Sequence, residues 1–164
     1  MTTLYTGLVV SALRKCQLLL QRTGESDLQS RALEEAALFQ LWKAYRAFLA
    51  ELAIQLQLGF EPESLQVILD SLESQGVVSS EARELSLLSA DPDSWLSKLL
   101  QAWKQLQQLA PGPTRESVRK GANLIPLHSI AFPASNAISA EILLEWHSAL
   151  SELVRRQRAN LEEC

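Results

Sequence analysis

Residues 26–58 read SDLQSRALEEAALFQLWKAYRAFLAELAIQLQL, and this stretch decides the fold. It contains neither glycine nor proline, and its apolar residues recur at spacings of three and four, which is the period of an α-helix. These residues are Leu38, Leu41, Trp42, Tyr45, Phe48, Leu49, Leu52 and Leu56. An apolar stripe this broad and long needs other helices to cover it, so the pattern predicts the central helix of a bundle.

Both ends of this central helix carry sequence signals. Ser26 and Gln29 have the spacing of a capping box, in which the serine oxygen accepts from a free backbone N–H and the glutamine side chain reaches back. Gly59 follows the run at a place where a left-handed residue commonly ends a helix. The sequence therefore predicts a helix over residues 26–58, which would extend about 50 Å if unbroken.

Further amphipathic segments lie on either side of the central helix. Pro62 and Pro92 would occupy first helical positions, where the missing N–H costs nothing, and Asp91 would cap the helix that contains Pro92. Gly76 and the run Pro111-Gly112-Pro113 would end two of the segments. We expect the other helices at about residues 3–22, 62–75, 80–89, 92–109 and 139–161, with an irregular, proline-broken segment at 110–138.

The composition agrees with this pattern. The chain has 164 residues, of which 47 % are apolar and 21 % charged, as in an ordinary globular domain. Leucine dominates while β-branched and aromatic residues are sparse, which favours helix over strand. We therefore predict an all-α, single-domain, mainly antiparallel bundle of five to six helices around the long central helix.

The charge pattern and the N-terminus narrow the classes of function. The net charge is −4, and basic residues form no separate field, so we expect no nucleic-acid binding. The first 22 residues lack the basic region and cleavage site of a signal peptide, and the uncharged run before Arg14 is too short to span a bilayer. Cys16 and Cys164 do not have the spacing of a zinc site, and the sequence does not decide whether they form a disulfide. We expect a cytoplasmic protein without a membrane span.

Four segments together resemble a known family. In chain order they are ALEEAALFQLWKAYRAFLAEL, DPDSWLSKLLQAW, the proline-broken LIPLHSI, and LLEWHSALSELVRRQRANLEEC. They resemble a small family of uncharacterised gammaproteobacterial all-helical proteins, a domain of unknown function, over nearly the whole chain. The resemblance implies a bacterial, cytoplasmic setting, and it brings no assigned activity, cofactor or catalytic residue to any position of this sequence.

The polar residues suggest an enzyme only as an alternative. The sequence has no G-x-S-x-G elbow, Walker loop, G-x-G-x-x-G or H-E-x-x-H motif. Its two histidines are His128 and His147, and Glu141 and Glu145 lie one turn apart on the last helix. These four could serve a small-molecule or metal-dependent helical enzyme, with its site between that helix and the loop at 121–133. Such residues are more commonly solvated acids and hydrogen-bonded histidines.

The leading hypothesis is a non-enzymatic interaction or binding protein. Trp95 and Trp103 share one side of a predicted helix and Trp146 could face them, so that an apolar groove would include these tryptophans, His128 and His147. The same large rings could equally fill a core. We predict no catalytic residue, metal or cofactor.

Self-association would complete this hypothesis. A leucine-rich bundle can have more apolar surface than one core covers, and a symmetric dimer would bury the excess. Phe39, Ile54 and Leu58 lie off the main stripe of the central helix and need cover from the irregular segment or from a partner. We therefore expect a homodimer or a complex with another protein.

Overall fold

A computed structural model of the chain describes residues 4–22, 24–108 and 138–162. Within these ranges the chain forms six α-helices and no β-strand, which confirms the all-α bundle. The helices are α1 (Leu4–Leu20), α2 (Asp27–Gln55), α3 (Leu65–Gln75), α4 (Ser80–Ala90), α5 (Trp95–Gln107) and α6 (Ala140–Glu162). The predicted irregular segment, apart from Ile138, lies outside the described residues.

Helix α2 is the centre of the bundle. It is 29 residues long and contacts α1, α5 and α6. Twelve of its residues are buried, and the largest of those with no appreciable exposure are Leu38, Leu41, Phe48, Leu49 and Leu52. The prediction of a central helix is therefore confirmed, since its apolar stripe is covered by the neighbouring helices as expected.

Long-range contacts fix the directions of α1 and α6 relative to α2. The Thr6 hydroxyl, near the start of α1, donates to Glu51 Oε1, near the end of α2, at 3.0 Å. These two helices therefore form an antiparallel hairpin. Arg158, near the end of α6, contacts the same Glu51, while His147 earlier in α6 contacts Leu13 in the middle of α1. Helix α6 therefore runs parallel to α2 and antiparallel to α1.

Helix α5 packs antiparallel to the first half of α2. Trp103, near the end of α5, contacts Phe39 and Trp42, whereas Leu100 lies beside a cavity together with Tyr45 and Leu49, which come later in α2. The order of contacts is therefore opposite along the two helices. Short links then place α3 against α4 and α4 against α5.

The N-terminal cap of α2 forms as the sequence predicts. Ser26 Oγ accepts from the Gln29 backbone N–H at 3.3 Å. The Gln29 side chain reaches back one residue further than expected, because its Oε1 accepts from the N–H of Glu25 at 2.7 Å. Side chains thus satisfy one free donor of the helix, the Gln29 N–H, and the N–H of the residue that precedes the cap.

The C-terminal end of α2 lies earlier than predicted. The helix ends at Gln55 with Leu56 as its cap, so the expected end at Leu58 is three residues too late. Gln57 has a left-handed φ of 55°, and Gly59, with φ of 75°, lies in the turn that follows. The prediction was wrong because a non-glycine residue takes the left-handed conformation first. Gly76 ends α3 with φ of 65°, as expected.

Both predicted proline starts were also wrong. Helix α3 begins at Leu65 after the cap residue Ser64, and Pro62 is buried in the preceding turn. Helix α5 begins at Trp95, where the Ser94 hydroxyl accepts from the Ser97 N–H at 3.0 Å. In both cases a serine a few residues after the proline provides the N-cap geometry, so the proline lies in the turn before the helix.

Asp91 has a different role from the predicted cap of α5. It is the C-cap of α4, and its Oδ1 accepts from the N–H of Asp93 at 2.9 Å. The aspartate therefore shapes the turn between the two helices. The remaining helix ends lie within two residues of their predicted positions.

Candidate functional site

Three aromatic rings form a cluster between α2 and α5. The Trp42 and Trp103 rings stack with centroids 4.4 Å apart and planes 18° from parallel. Phe39 lies beside both rings, with centroid distances of 6.2 Å to Trp42 and 5.8 Å to Trp103. The Arg46 guanidinium carbon lies 5.9 Å from the centre of the Trp42 ring, in the range of a cation–π contact. Phe39, Trp42 and Trp103 are called the aromatic cluster below.

The α2 members of the aromatic cluster lie on a second stripe of that helix, which adjoins the buried one at Trp42. The stripe has alternating spacings of four and three, which is the spacing of a coiled-coil contact surface. It consists of Leu28, Ala32, Glu35, Phe39, Trp42 and Arg46 and is called the outer stripe below. Leu28 is 80 % exposed and Phe39 is 40 % exposed, so the bundle leaves much of this stripe accessible to solvent.

Two opposite charges flank the exposed Phe39. Glu35 precedes it by one helical turn and Lys43 follows it by one turn. Both side chains are exposed. Among the residues that the structure describes, neither of them forms an ion pair.

A cavity of about 410 Å³ adjoins the aromatic cluster. It lies between α2, α3, α4 and α5, and Trp42 contributes to both features. The other lining residues are Tyr45, Arg46, Leu49, Glu63, Ser64, Leu65, Gln66, Leu69, Ser86, Ser89, Ala90 and Leu100. The walls are therefore mainly apolar, with a small number of polar groups, as in typical small-molecule sites.

Tyr45 is the most deeply buried polar residue of this lining. It is only 3 % exposed, and its hydroxyl has no hydrogen-bond partner in the part of the chain that the structure describes. Burial raises the pKa of Tyr45, and the positive charge of Arg46 acts in the opposite direction. The phenol therefore keeps its proton at neutral pH and can donate a hydrogen bond into the cavity.

A second cavity of about 380 Å³ lies between α1 and α6. Its walls include Val9, Val10, Leu13 and Val154, and its cations are Arg155 and Arg158. Arg155 is already paired with Glu152 at 2.7 Å and Arg158 with Glu51 at the same distance. Both guanidinium groups are thus engaged within the protein, and this cavity is a weaker candidate for a ligand.

The carboxylates of Glu51 and Glu84 join α6 to the rest of the bundle. Glu51 is 3 % exposed, and the guanidinium of Arg158 binds both of its oxygens. Glu84 on α4 is bound by Arg156 and by the amide of Gln157, the latter at 3.1 Å. Sequence reasoning missed these pairs, because neither spacing nor composition relates side chains that are 72, 73 or 107 positions apart.

The tryptophans of the predicted groove lie in different parts of the structure. Trp146 is 6 % exposed and belongs to the core, and Trp95 packs partly buried against that core. The ring contacts of Trp103 join it to Phe39 and Trp42, and none among the described residues joins it to Trp95 or Trp146. The described tryptophans therefore divide between the core and the aromatic cluster.

The polar groups of the enzyme alternative are also separated. His147 is partly buried, with its Nε2 3.1 Å from the Leu13 carbonyl oxygen. Glu141 and Glu145 are exposed, and His128 lies outside the described residues. In the described ranges there is no group of three or more His, Cys, Asp or Glu residues arranged to hold a metal ion.

The residues left uncovered on α2 were partly foreseen. Phe39 and Ile54 are 40 % and 47 % exposed, whereas Leu58 packs against the core. Sequence reasoning named Tyr45 only as a member of the apolar stripe and did not name Arg46, because the cavity beside them depends on how the helices pack. None of the helices in the described ranges is apolar over a length that would cross a membrane.

These features define an all-α bundle protein with an accessible aromatic cluster and an adjoining cavity. The chain belongs to the family of unknown function DUF6586, whose sequence model matches residues 12–164. The match confirms the resemblance to an uncharacterised domain family. No curated protein and no solved structure matches the chain.

Proposed function

We propose that this protein is a non-enzymatic interaction protein that self-associates through the outer stripe of α2, as a symmetric antiparallel dimer. The observation that carries the proposal is the arrangement of Glu35 and Lys43 one turn before and after the exposed Phe39. Following the family resemblance, we also propose a bacterial, cytoplasmic setting.

Charge complementarity favours a second copy of the same chain as the occupant. A two-fold axis at Phe39 brings Glu35 of one copy against Lys43 of the other, and the symmetry repeats this pair. Two opposite-charge pairs then flank a central contact between the two phenylalanines. A parallel pairing would instead bring like charges together, so the charges select the antiparallel arrangement.

The sizes of the side chains agree with this arrangement. Ala32 and Ala36, on the N-terminal side of Phe39, are small, whereas Trp42 on the other side is large. Antiparallel pairing brings Trp42 of each copy towards the alanines of the other. Large side chains then meet small ones on both sides of the axis, and exposed aromatic surface is removed from water.

Charge reversal tests the proposal. We expect the wild-type protein to sediment with about twice its monomer mass of 18.2 kDa. Lys43→Glu replaces two attractive pairs with two repulsive ones and should weaken the dimer by about tenfold or more. The double variant Glu35→Lys/Lys43→Glu restores opposite charges across the axis and should recover the wild-type association, as measured by sedimentation equilibrium.

The matched control is Lys98→Glu, which reverses an exposed lysine of α5 outside the outer stripe. This variant should associate like the wild type. A wild-type monomer whose mass does not change with concentration would refute the dimer. A double variant as weak as Lys43→Glu would refute the pairing of Glu35 with Lys43.

A further inference from the structure

We infer that the cavity between α2, α3, α4 and α5 binds a small molecule that has one carboxylate and an apolar body. The proposal rests on the size of the cavity, on its apolar walls and on three groups that can bind an anion. It does not depend on self-association, although Trp42 contributes to both surfaces.

The cavity has the size and composition of a small-molecule site. Its volume of about 410 Å³ falls within the range of about 300 to 1,000 Å³ that is usual for ligand pockets. Five large apolar side chains provide most of the wall: Trp42, Leu49, Leu65, Leu69 and Leu100. These side chains suit an aromatic or aliphatic body of about a dozen heavy atoms.

Tyr45 supplies an unused hydrogen-bond donor. The residue is 3 % exposed and lines the cavity. Its hydroxyl has no hydrogen-bond partner within the described ranges. The buried side-chain atoms without a partner in the described ranges are Gln40 Oε1 and Gln157 Oε1, so the Tyr45 oxygen itself keeps contact with solvent and can donate to an acceptor in the cavity. A carboxylate oxygen is a strong acceptor for such a donor.

Arg46 and the start of α3 supply positive charge at the same cavity. Arg46 rests against the Trp42 ring and has no ion pair in the described part of the chain. The cap residue Ser64 makes no side-chain hydrogen bond to the first turn of α3, and it lines the cavity together with Leu65 and Gln66. The backbone N–H groups of that turn and the helix dipole therefore remain available to an anion.

Among the described residues of the lining, Glu63 alone is acidic, and it is exposed. Its carboxylate opposes the binding of an anion, so its removal should strengthen binding. The hydroxyls of Ser86 and Ser89 add neutral polar groups on the α4 side. The apolar walls with Arg46, Tyr45 and the α3 N-terminus favour a monocarboxylate over a neutral or cationic molecule.

The experiment uses 4-phenylbutyrate as the probe and 4-phenylbutanol as its uncharged counterpart, titrated into the full-length protein by calorimetry. We expect the acid to bind at least tenfold more tightly than the alcohol. Tyr45→Phe and Arg46→Gln should each lower the affinity for 4-phenylbutyrate by about tenfold, which corresponds to the loss of one charge-assisted hydrogen bond. Glu63→Gln should strengthen it.

Control variants separate the cavity from other cationic surfaces and from the dimer. Lys98→Gln removes an exposed cation outside the lining and should change the affinity less than twofold. Glu35→Lys also brings like charges together across the proposed dimer axis, but it lies about three helical turns before Arg46 and outside the lining, so it should bind the acid like the wild type. Absence of binding at millimolar acid, equal binding of acid and alcohol, or wild-type affinity in both Tyr45→Phe and Arg46→Gln would overturn the inference.

Discussion

Arg158 holds both carboxylate oxygens of Glu51, with its Nε 3.0 Å from Oε1 and its Nη2 2.7 Å from Oε2. The Thr6 hydroxyl donates to the same Oε1, so that helices α1, α2 and α6 meet at one buried carboxylate. The Glu51 side chain is 4 % exposed and that of Arg158 is 26 % exposed. The acid is therefore the member of the pair that depends more on its partner.

The two single replacements in this pair should destabilise the fold to different extents. Arg158→Met leaves the buried Glu51 carboxylate without its counter-charge, which should lower the free energy of unfolding by about 3–5 kcal/mol. Glu51→Met leaves the arginine, which can turn towards solvent, so we expect a smaller loss. Urea denaturation followed by circular dichroism measures both changes.

The double variant Glu51→Met/Arg158→Met provides the check on this prediction. Because it removes both charges, it should be more stable than Arg158→Met alone. Additive losses from the two single changes would mean that the two side chains do not interact energetically.

Cys16 should make stability depend on pH in alkaline solution. Burial raises the pKa of its thiol from the ordinary 9.0 to about 12. Above pH 9 the unfolded thiol loses its proton while the folded one keeps it, so the free energy of unfolding falls as pH rises. In a Cys164→Ser background, Cys16→Ala should lose less stability between pH 7 and pH 10 than the protein that retains Cys16.

Urea denaturation at several pH values measures this difference. The packing cost of Cys16→Ala is the same at each pH, so the comparison is between slopes and not between absolute stabilities. Parallel curves for the two proteins would contradict a buried thiol.

The serine caps should differ in their effect on stability. Ser94 accepts from the N–H of Ser97 at 3.0 Å and donates to the carbonyl of Leu88, so Ser94→Ala should cost about 1–2 kcal/mol. Ser64 has the same position at the start of α3 but makes no side-chain cap bond, so Ser64→Ala should cost much less. Thermal denaturation compares the two, and equal losses would contradict the assigned roles.

The stacked tryptophans should give a spectroscopic signal. Two indole rings 4.4 Å apart couple their electronic transitions, so the wild-type protein should show a paired positive and negative band in its far-ultraviolet circular dichroism. Trp103→Phe should abolish this pair of bands and cost about 1 kcal/mol. Trp95→Phe, which changes a tryptophan outside the cluster, should retain it. A spectrum that Trp103→Phe leaves unchanged would contradict the stacking.

Local sequence signals predicted the helices well, because they depend on neighbours along the chain. The period of α2, the cap at Ser26 and the stop at Gly76 each involve residues within a few positions of one another. The errors arose where two local signals competed. At Asp91-Pro92 and at Pro62, proline suggested a helix start, but the serine that follows provided the cap.

The candidate sites were harder to predict, because they depend on how the helices pack. Nothing in the spacing of Trp42 indicates that Trp103, rather than Trp95 or Trp146, lies against it. Tyr45 falls on the buried stripe of α2, and only the arrangement of α3 and α4 leaves a cavity beside it. The sequence could therefore supply amphipathic helices but not the gaps between them.

The parallel course of α2 and α6 has a consequence for synthesis on the ribosome. The carboxylate of Glu51 emerges 107 residues before the guanidinium that neutralises it. Until then the α1–α2 hairpin can form, since its contacts are close in sequence, but it holds an acid that water must solvate. The nascent hairpin should stay open to water around Glu51. Insertion of α6 should then exclude that water and complete the ion pair with Arg158.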